Sequence, residues 1–312
     1  MQGSQSQVCS ALLMVRPKAF GYNAETAQTN RFQQPGGTGD VAAQAMAEFD
    51  ALAAALASEG VTVCVAEDSA EPRKPDAVFP NNWLSFHADG TVVLYPMQAE
   101  SRRAERRMEI VDAVVRDTGY TVRRVLDLTP HEKSGRFLEG TGSLVLDHLY
   151  RVAYACLSPR TDAKVAAEWA AGMGYELALF SASDATGTPI YHTNVVMSIG
   201  TRAAIVALDN IANVDRERVA ERLRASGREV IAIDPVEMHA FAGNMLEVGS
   251  WDEHLGDFRV LVMSRTARAA LAPKKLAQLT SAVDSVLAAP IDIIERHGGG
   301  SVRCMLAEVF LR

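Results

Sequence analysis

The sequence predicts an α/β fold in which a strand–strand–helix–strand unit is repeated five times. Helix-like segments repeatedly end at a small residue and run at once into a strand-like stretch. These ends fall at Gly60, Gly119, Gly174, Gly227 and Ala289, with steps of 59, 55, 53 and 62 residues. No stretch rich in proline, serine or charge separates the units. Every α/β protein alternates helices and strands, but five nearly equal periods favour one closed domain over residues 1–312.

Each unit has its own helix start and its own strands. Asp40 is a good N-cap for the first helix, and Gly60 suits the left-handed residue after its end. The later helices are expected to begin near Ala99, at Ser158–Pro159, near Asn213 and, interrupted by Pro273, ahead of Ala289. The strands after the five helices read VTVCVAE, YTVRRVLDL, YELALF, REVIAID and IDIIER. Two more strand-like runs complete a unit, as in WLSFH with TVVLYPM or SLVLD with RVAYACLS.

The composition is that of a soluble globular protein, with 48% hydrophobic and 22% charged residues. The 31 Lys and Arg against 38 Asp and Glu give a net charge of −7, which disfavours a nucleic-acid partner. No run of about 18 apolar residues predicts a membrane span. The start has no basic region followed by a long apolar one, so we expect a cytoplasmic protein.

The four cysteines stand at 9, 64, 156 and 304 without a C-x-x-C pair. We therefore expect neither a zinc site nor a disulfide framework. Cys64 and Cys156 lie inside apolar strands and are predicted to be core residues. Cys9 is predicted to lie in a mobile N-terminus. Cys304 follows three glycines, which let the backbone approach a ligand closely.

One polar cluster stands beside an apolar strand in each repeat. The five are DAVFPNN (76–82), FLEGTGS (137–143), IYHTN (190–194), FAGNML (241–246) and GGGSVRCM (298–305). If the repeats close into a ring, residues in the same phase converge on its axis. One Cys, one His, one Glu and several Asn would then surround one pocket, as nucleophilic catalysis requires.

The motifs F-L-E-G, H-x-N and G-G-G-x-x-x-C-M resemble those of the guanidino-group-modifying superfamily, the penteins. Its members include arginine deiminase, dimethylarginine dimethylaminohydrolase and the amidinotransferases, which share a five-bladed α/β propeller and a Cys/His/Glu centre. The resemblance covers nearly the whole chain, since one motif falls in each repeat. It implies a propeller of pseudo-fivefold ββαβ repeats. It also implies that Cys304 is the nucleophile, His192 the general acid/base and Glu139 the carboxylate that works with it.

The same resemblance suggests residues that bind the substrate. Arg102, in M-x-x-x-x-R-R-x-E (97–105), and Arg160, in L-S-P-R-T (157–161), match segments that hold a substrate carboxylate. A guanidinium pairs bidentately with a carboxylate, although a solvated basic helix face would also explain Arg102. Asp76 is a candidate contact for the α-amino group, or simply a turn residue at the start of a strand.

Two positions depart from the family members that act on guanidinium. Those members carry Asp at the end of F-x-x-D and H-x-D, where this chain has Asn82 and Asn194. An amide has one acceptor oxygen, one NH₂ donor and no charge, so it fits a neutral ureido group better than a cation. Asn81 and Asn244 add further amides at the predicted pocket. The alternative is that these asparagines only serve turn geometry.

The pattern resembles the citrulline-utilisation hydrolases, or citrullinases. It implies cleavage of citrulline to ornithine, ammonia and CO₂ through an S-carbamoyl cysteine, without metal or organic cofactor. Two alternatives stay open: a guanidine hydrolase or amidinotransferase acting on arginine or a methylated arginine, and a catalytically silent ligand-binding propeller. We expect a small-molecule amino-acid substrate, no nucleic-acid or membrane partner and possibly a homo-oligomer. Residues 20–39 are either a lid or a surface loop.

Overall fold

The structure, a computed structural model, describes residues 6–9, 11–36, 39–119, 121–252 and 256–310. The strands of these residues form five three-stranded sheets. They are β1 (Ala11–Arg16), β2 (Thr62–Glu67), β3 (Leu84–Phe86), β4 (Thr91–Leu94), β5 (Arg124–Asp127), β6 (Leu144–Asp147), β7 (Val152–Cys156), β8 (Glu176–Phe180), β9 (Met197–Ile199), β10 (Ala203–Val206), β11 (Glu229–Ala232), β12 (Leu246–Asp252), β13 (Gly256–Ser264), β14 (Ser285–Ala289) and β15 (Ala307–Val309).

All five sheets have the same strand pairing. In order, they are β15–β1–β2, β3–β4–β5, β6–β7–β8, β9–β10–β11 and β12–β13–β14. The first strand of each sheet pairs antiparallel with the second, as Leu144 does with Ala155. The second pairs parallel with the third, as Val152 does with Glu176. Parallel neighbours need a long crossover, so the helix of each unit has to lie between its second and third strands.

The helices fill these crossovers and the short turns between units. They are α1 (Val41–Ser58), α2 (Met108–Thr118), α3 (Gly140–Ser143), α4 (Ala163–Met173), α5 (Thr193–Val196), α6 (Asn213–Ala225), α7 (Pro235–His239), α8 (Arg265–Ala270), α9 (Pro273–Ala282), α10 (Asp292–Gly298) and α11 (Val302–Met305). Short 3₁₀ segments span Thr26–Gln28, Pro80–Asn82, Glu100–Glu105, Thr129–Ser134 and Leu208–Asn210. The crossovers contain α1, α2, α4, α6 and α9. The predicted α/β repeat of two strands, a helix and a strand is confirmed.

The predicted helix ends are largely confirmed. Asp40 caps α1 by accepting a hydrogen bond from the main-chain N of Ala43 at 3.0 Å. Gly119 and Gly174 end α2 and α4 with left-handed φ values of 69° and 68°, a conformation that costs glycine little. The predicted start at Ser158–Pro159 is wrong, because the cap of α4 is Asp162, whose carboxylate accepts from Lys164 N and Val165 N.

The fifth unit differs from its prediction. The helix ends at Ala282, and the apolar run 285–289, expected to be helical, is strand β14 paired with β13. The run IDIIER, expected to be a strand, lies largely in helix α10. The first turn of α10 is stabilised by Glu48, whose carboxylate accepts from Ile293 N and Ile294 N. This cap comes from α1, far away in the sequence, so the local pattern could not indicate it.

Three of the cysteines, Cys9, Cys64 and Cys156, are buried away from the candidate site. Cys64 and Cys156 are buried within β2 and β7, as predicted. Cys9 is also buried, and its carbonyl accepts a hydrogen bond from Gly249 N at 2.7 Å. The prediction of a mobile position for Cys9 is therefore wrong. No helix among the described residues combines the length and the apolar character that crossing a membrane requires.

A short polar turn stands before the first strand of every sheet, and this positions the site. Four of the turns are the segments Pro80–Asn82, Gly140–Ser143, Thr193–Val196 and Val302–Met305. The fifth, residues 241–244, is an irregular turn before β12. The segments pack against one another: 140–143 contacts 80–82 and 193–196, and 302–305 contacts 80–82. The five predicted polar clusters thus meet in one region.

Candidate active site

A narrow cavity lies where these turns meet. Six of the ten residues predicted for the site line it: Cys304, His192, Asn82, Arg102, Arg160 and Asp76. The other four predicted residues are buried and adjoin the cavity lining through their neighbours: Glu139, Asn81, Asn194 and Asn244. The structure therefore brings all ten residues into one cluster, with six on the cavity wall and four buried behind that wall.

The sulfur of Cys304 is contacted by two side-chain amides. Nδ2 of Asn244 lies 3.4 Å from Sγ, and Nδ2 of Asn194 lies 3.5 Å from it. Cys304 sits in the turn α11, four residues after the end of the run Gly298–Gly300 that forms part of the cavity lining. A thiol placed on a cavity wall, with amide donors directed at it, is suited to act as a nucleophile.

His192 and Glu139 form a buried pair. Nε2 of His192 lies 2.9 Å from Oε2 of Glu139. A carboxylate only accepts hydrogen bonds, so Nε2 carries the proton and Nδ1 is the basic nitrogen of the neutral ring. The other oxygen of Glu139 accepts from Gln98 N at 3.0 Å, which holds the carboxylate in place. This arrangement orients His192 as a base.

Burial and charge act in opposite directions on this pair. Burial lowers the pKa of His192 to about 4, although the hydrogen bond and charge of Glu139 raise it. Burial by itself would raise the pKa of Glu139, but the charge of Arg160 and the contact with His192 lower it to about 2. At neutral pH the pair consequently holds an ionised carboxylate and an uncharged imidazole.

The glycines of the FLEGTGS cluster make room for the neighbouring turns. A Cβ on Gly142 would lie 2.5 Å from Nδ2 of Asn82 and 2.6 Å from Nδ1 of His192. Gly140 has a φ of +50°, and a Cβ there would lie 2.0 Å from the carbonyl oxygen of Asn81. Only glycine allows Asn82 and His192 to approach this turn so closely.

Arg102 uses most of its donors in protein contacts. Its guanidinium makes two parallel bonds to Glu105, Nε to Oε1 at 2.9 Å and Nη2 to Oε2 at 2.8 Å. Nη1 donates to Oδ1 of Asn82 at 2.7 Å, and Nη2 also donates to the carbonyl of Phe79 at 3.2 Å. Arg102 lines the cavity as predicted, but the face expected to bind a substrate carboxylate is occupied by Glu105.

Asp76 and Arg160 face the cavity with groups still available for a ligand. Oδ2 of Asp76 accepts from Asn23 and Thr26, whereas its buried Oδ1 has no partner among the described residues. Nη1 of Arg160 lies 3.5 Å from Oε2 of Glu139, while Nη2 donates to the carbonyl of Thr26. One acceptor and one cation on the cavity wall can bind the two charged ends of an amino acid.

Residues 23–33 lie over the cavity. Asn30 donates to the carbonyl of Gly299 at 3.0 Å, and Gln33 donates to that of Gly298 at 3.0 Å. At the other end, Asn23 donates to Oδ2 of Asp76 at 2.7 Å. Residues 20–39 were expected to form either a lid or a surface loop, and the described part of this segment contacts the site.

Several cavity residues were not predicted individually. They are Thr26, Asn30, Gln33, Phe79, Tyr191 and the three glycines 298–300. They belong to the predicted polar clusters or to the segment 20–39, but they reach the cavity only because distant segments meet. Tyr191, beside His192, donates to the carbonyl of Gly299 at 2.5 Å. Within the described part of the chain, no group of three or more His, Cys, Asp or Glu side chains could hold a metal ion.

The solved structures with the same fold include an arginine dihydrolase and a dimethylarginine dimethylaminohydrolase. The chain aligns with ArgZ, an arginine dihydrolase from the ornithine–ammonia cycle in cyanobacteria, at a TM-score of 0.73 and 16% identity. That alignment covers 95% of this chain but only 40% of the longer ArgZ chain. With the separate N-terminal domain of ArgZ, the alignment covers 96% of this chain and 99% of that domain. It also aligns with a dimethylarginine dimethylaminohydrolase, at 0.62 and 15% identity, covering 96% of this chain and 99% of that one. No curated protein sequence matches the chain.

The fold and the site define a cysteine-dependent hydrolase of C–N bonds within the pentein superfamily. The family model described as N,N dimethylarginine dimethylhydrolase, eukaryotic, matches residues 16–311. The chain belongs to this family. The resemblance expected from the motifs is thereby confirmed, and the enzymes of the family are guanidino-group hydrolases.

Proposed function

We propose that the chain hydrolyses the terminal C–N bond in the side chain of arginine or a closely related amino acid. The observation that carries this proposal is the cavity that joins Cys304, His192 and Asp76. The family and the structural relatives support arginine or a methylated arginine as the substrate better than citrulline. An arginine complex is known for the relative AgrE, 18% identical, with a TM-score of 0.72; the alignment covers 95% of this chain and 39% of AgrE.

In this proposal Nδ1 of His192 takes the thiol proton, and the thiolate of Cys304 attacks the terminal carbon. The C–N bond breaks as the departing nitrogen takes that proton back from His192. Water, deprotonated by His192, then attacks the S–C adduct and releases the free thiol. Glu139 keeps the imidazole in the tautomer that these transfers need. A covalent intermediate has been captured in the ArgZ N-terminal domain.

Substrate recognition in this proposal uses the two groups left available in the cavity. The unpartnered Oδ1 of Asp76 accepts from the α-ammonium group, and Arg160 attracts the carboxylate. Arg102 contributes by holding the 76–82 turn rather than by binding the substrate directly.

Citrulline is a second candidate substrate, favoured by the orientation of two amides. Oδ1 of Asn82 accepts from Arg102, which has only donors, so the free atom of this amide is the NH₂ donor. Nδ2 of Asn194 is directed at Cys304, so its free atom is the acceptor Oδ1. One free donor on the cavity wall and one free acceptor just behind that wall match a ureido group, whereas a guanidinium has donors only.

The pairing of the first and last strands supports a closed arrangement. β1 pairs with β15, and first strands of neighbouring sheets contact each other, as β15 does with β3 and β6 with β9. We infer a five-bladed propeller that forms one domain over residues 1–312.

Parallel incubation of the protein with arginine, N,N-dimethylarginine and citrulline tests the function. Ornithine, citrulline, methylamines and ammonia are quantified by chromatography, and Cys304→Ala is the matched control. Turnover of at least one substrate, absent in Cys304→Ala, is the expected result. No turnover of any of them would overturn the proposal, and the rank order decides between guanidino and ureido substrates.

A further inference from the structure

Asn244 belongs to the 241–244 turn and is completely buried. All its amide hydrogens and its oxygen have neighbours. Oδ1 accepts from Arg303 N at 3.1 Å, while Nδ2 donates to the carbonyl of Asn194 at 3.0 Å and lies 3.4 Å from Sγ of Cys304. One side chain therefore links three of the turns that build the site.

The orientation of this amide is determined by its two main-chain partners. The N–H of Arg303 can only donate, so it faces the oxygen of Asn244, and the carbonyl of Asn194 can only accept, so it faces the nitrogen. The second hydrogen on Nδ2 then points at Sγ. Asn244 is thus fixed as a donor to the sulfur before any substrate is present. Its oxygen lies 3.8 Å from Sγ and can accept from the thiol form only.

The two arginines on the cavity wall with Cys304 have carboxylate neighbours, and Asp76 and Tyr191 also line this cavity. Arg102 is paired with Glu105, Arg160 lies beside Glu139, and burial lowers the pKa of His192 to about 4, so its ring is uncharged at neutral pH. The amides of Asn244 and Asn194 are the side-chain groups that donate directly to the sulfur among the described residues. A thiolate accepts hydrogen bonds more strongly than a thiol does.

We propose that Asn244 is a positioning residue for the nucleophile, which holds Sγ of Cys304 and stabilises its thiolate form. Asn244 was expected to contact the substrate, but its side chain contacts the neighbouring turns and the sulfur instead. This inference rests on the proposed function for its catalytic meaning. The thiol itself can be examined without any substrate.

The test is the pH dependence of alkylation of Cys304 by iodoacetamide, followed by peptide mass spectrometry so that the other cysteines do not interfere. Asn244→Asp keeps the acceptor for Arg303 N, and Asn244→Ser removes volume without adding a clash. We expect both variants to move the midpoint of Cys304 alkylation upward by at least about one pH unit. This corresponds to about tenfold slower alkylation at a pH below the midpoint. The matched control is Asn210→Asp, a buried asparagine that bonds to Ser183.

On the substrate found for the wild type, we expect kcat to fall and KM to change less than about twofold. An unchanged alkylation profile in either folded variant would overturn the inference, as would a loss confined to KM. If the wild type turns over none of the three substrates but the midpoint still shifts, the proposed function fails and the inference stands. If turnover is normal and the midpoint does not move, only the inference fails. Thermal unfolding of each variant verifies that the fold is intact.

Discussion

Nε2 of His192 donates to Oε2 of Glu139 at 2.9 Å, and this single contact determines which nitrogen of the ring can act as a base. Replacing Glu139 by Gln preserves shape but allows the amide to donate, which would favour the opposite tautomer. We expect kcat/KM to fall by about 10²- to 10⁴-fold, which is the usual rate contribution of a positioned acid–base group. Steady-state assays of Glu139→Gln measure this. Glu237→Gln, which alters the capping box of α7, is the control, and a loss below tenfold in Glu139→Gln would contradict the assignment.

The low pKa of His192 predicts that its ring stays uncharged down to about pH 5. Burial lowers this pKa to about 4 from the usual value near 6.5. The ring is therefore uncharged above pH 5 and becomes protonated, and unable to act as a base, as the pH falls through about 4. An NMR titration of ¹³C-labelled histidine, assigned with His192→Asn, should show no change for this ring between pH 8 and pH 5. A midpoint near 6.5 would mean that the site is more hydrated than the geometry indicates.

Gly142 should be intolerant of any side chain. A methyl group at this position would meet Nδ2 of Asn82 and Nδ1 of His192 at 2.5 and 2.6 Å, so the basic nitrogen has to shift. We expect Gly142→Ala to fold but to lose at least about 100-fold in kcat/KM, since small misplacements of reacting groups are costly. Gly172→Ala is a matched control in α4, where the new methyl group meets Leu126 at an ordinary 3.5 Å. Equal activity of the two variants would contradict this view of the turn.

Much of the fold could be predicted because the information is local. Glycine ends such as Gly119 and caps such as Asp40 depend on neighbouring residues, and the repeat of about 60 residues placed Cys304, His192 and Glu139 in the same phase. The errors have long-range causes. Helix α10 depends on a cap from Glu48, and the position of Cys9 depends on pairing with Gly249.

The sequence indicated which residues lie at the site more successfully than it indicated which groups those residues contact. Arg102 was expected to hold a substrate carboxylate, yet it binds Glu105 and Asn82. The spacing of M-x-x-x-x-R-R-x-E places Glu105 three residues from Arg102, but it does not indicate whether the arginine turns toward its neighbour or toward the cavity. Asn244 was similarly predicted to lie at the site, but its contact with the sulfur of Cys304 was not predicted.

Buried histidines should make the fold sensitive to acid. Burial lowers the pKa of His148 to about 3, and that of His87 to about 4. Between about pH 6.5 and the folded value, the unfolded chain binds a proton that the folded chain does not, so the free energy of unfolding falls as the pH falls. For His148 the loss from pH 6.5 to 5 is about 2 kcal/mol. Denaturant unfolding of His148→Gln at pH 7 and pH 5 should show a pH-dependent loss smaller than that of the wild type by about this amount. An identical loss in the variant and the wild type would show that His148 has the same pKa in the folded and unfolded states.

Asn82 should control the choice between ureido and guanidino substrates, because Arg102 holds its oxygen and leaves its NH₂ as the free group. In Asn82→Asp, one carboxylate oxygen still accepts from Arg102, and the second places an acceptor where the wild type has a donor. A charge-assisted hydrogen bond is worth about 1.5–3 kcal/mol, so the ratio of kcat/KM for arginine over citrulline should rise by about 10- to 100-fold. The ratio is informative because general damage to the fold lowers both values together. Asn81→Asp alters the adjacent amide, which contacts Thr141, and should leave the ratio nearly unchanged. An unchanged ratio in Asn82→Asp would show that the amide of Asn82 does not contact the reacting group.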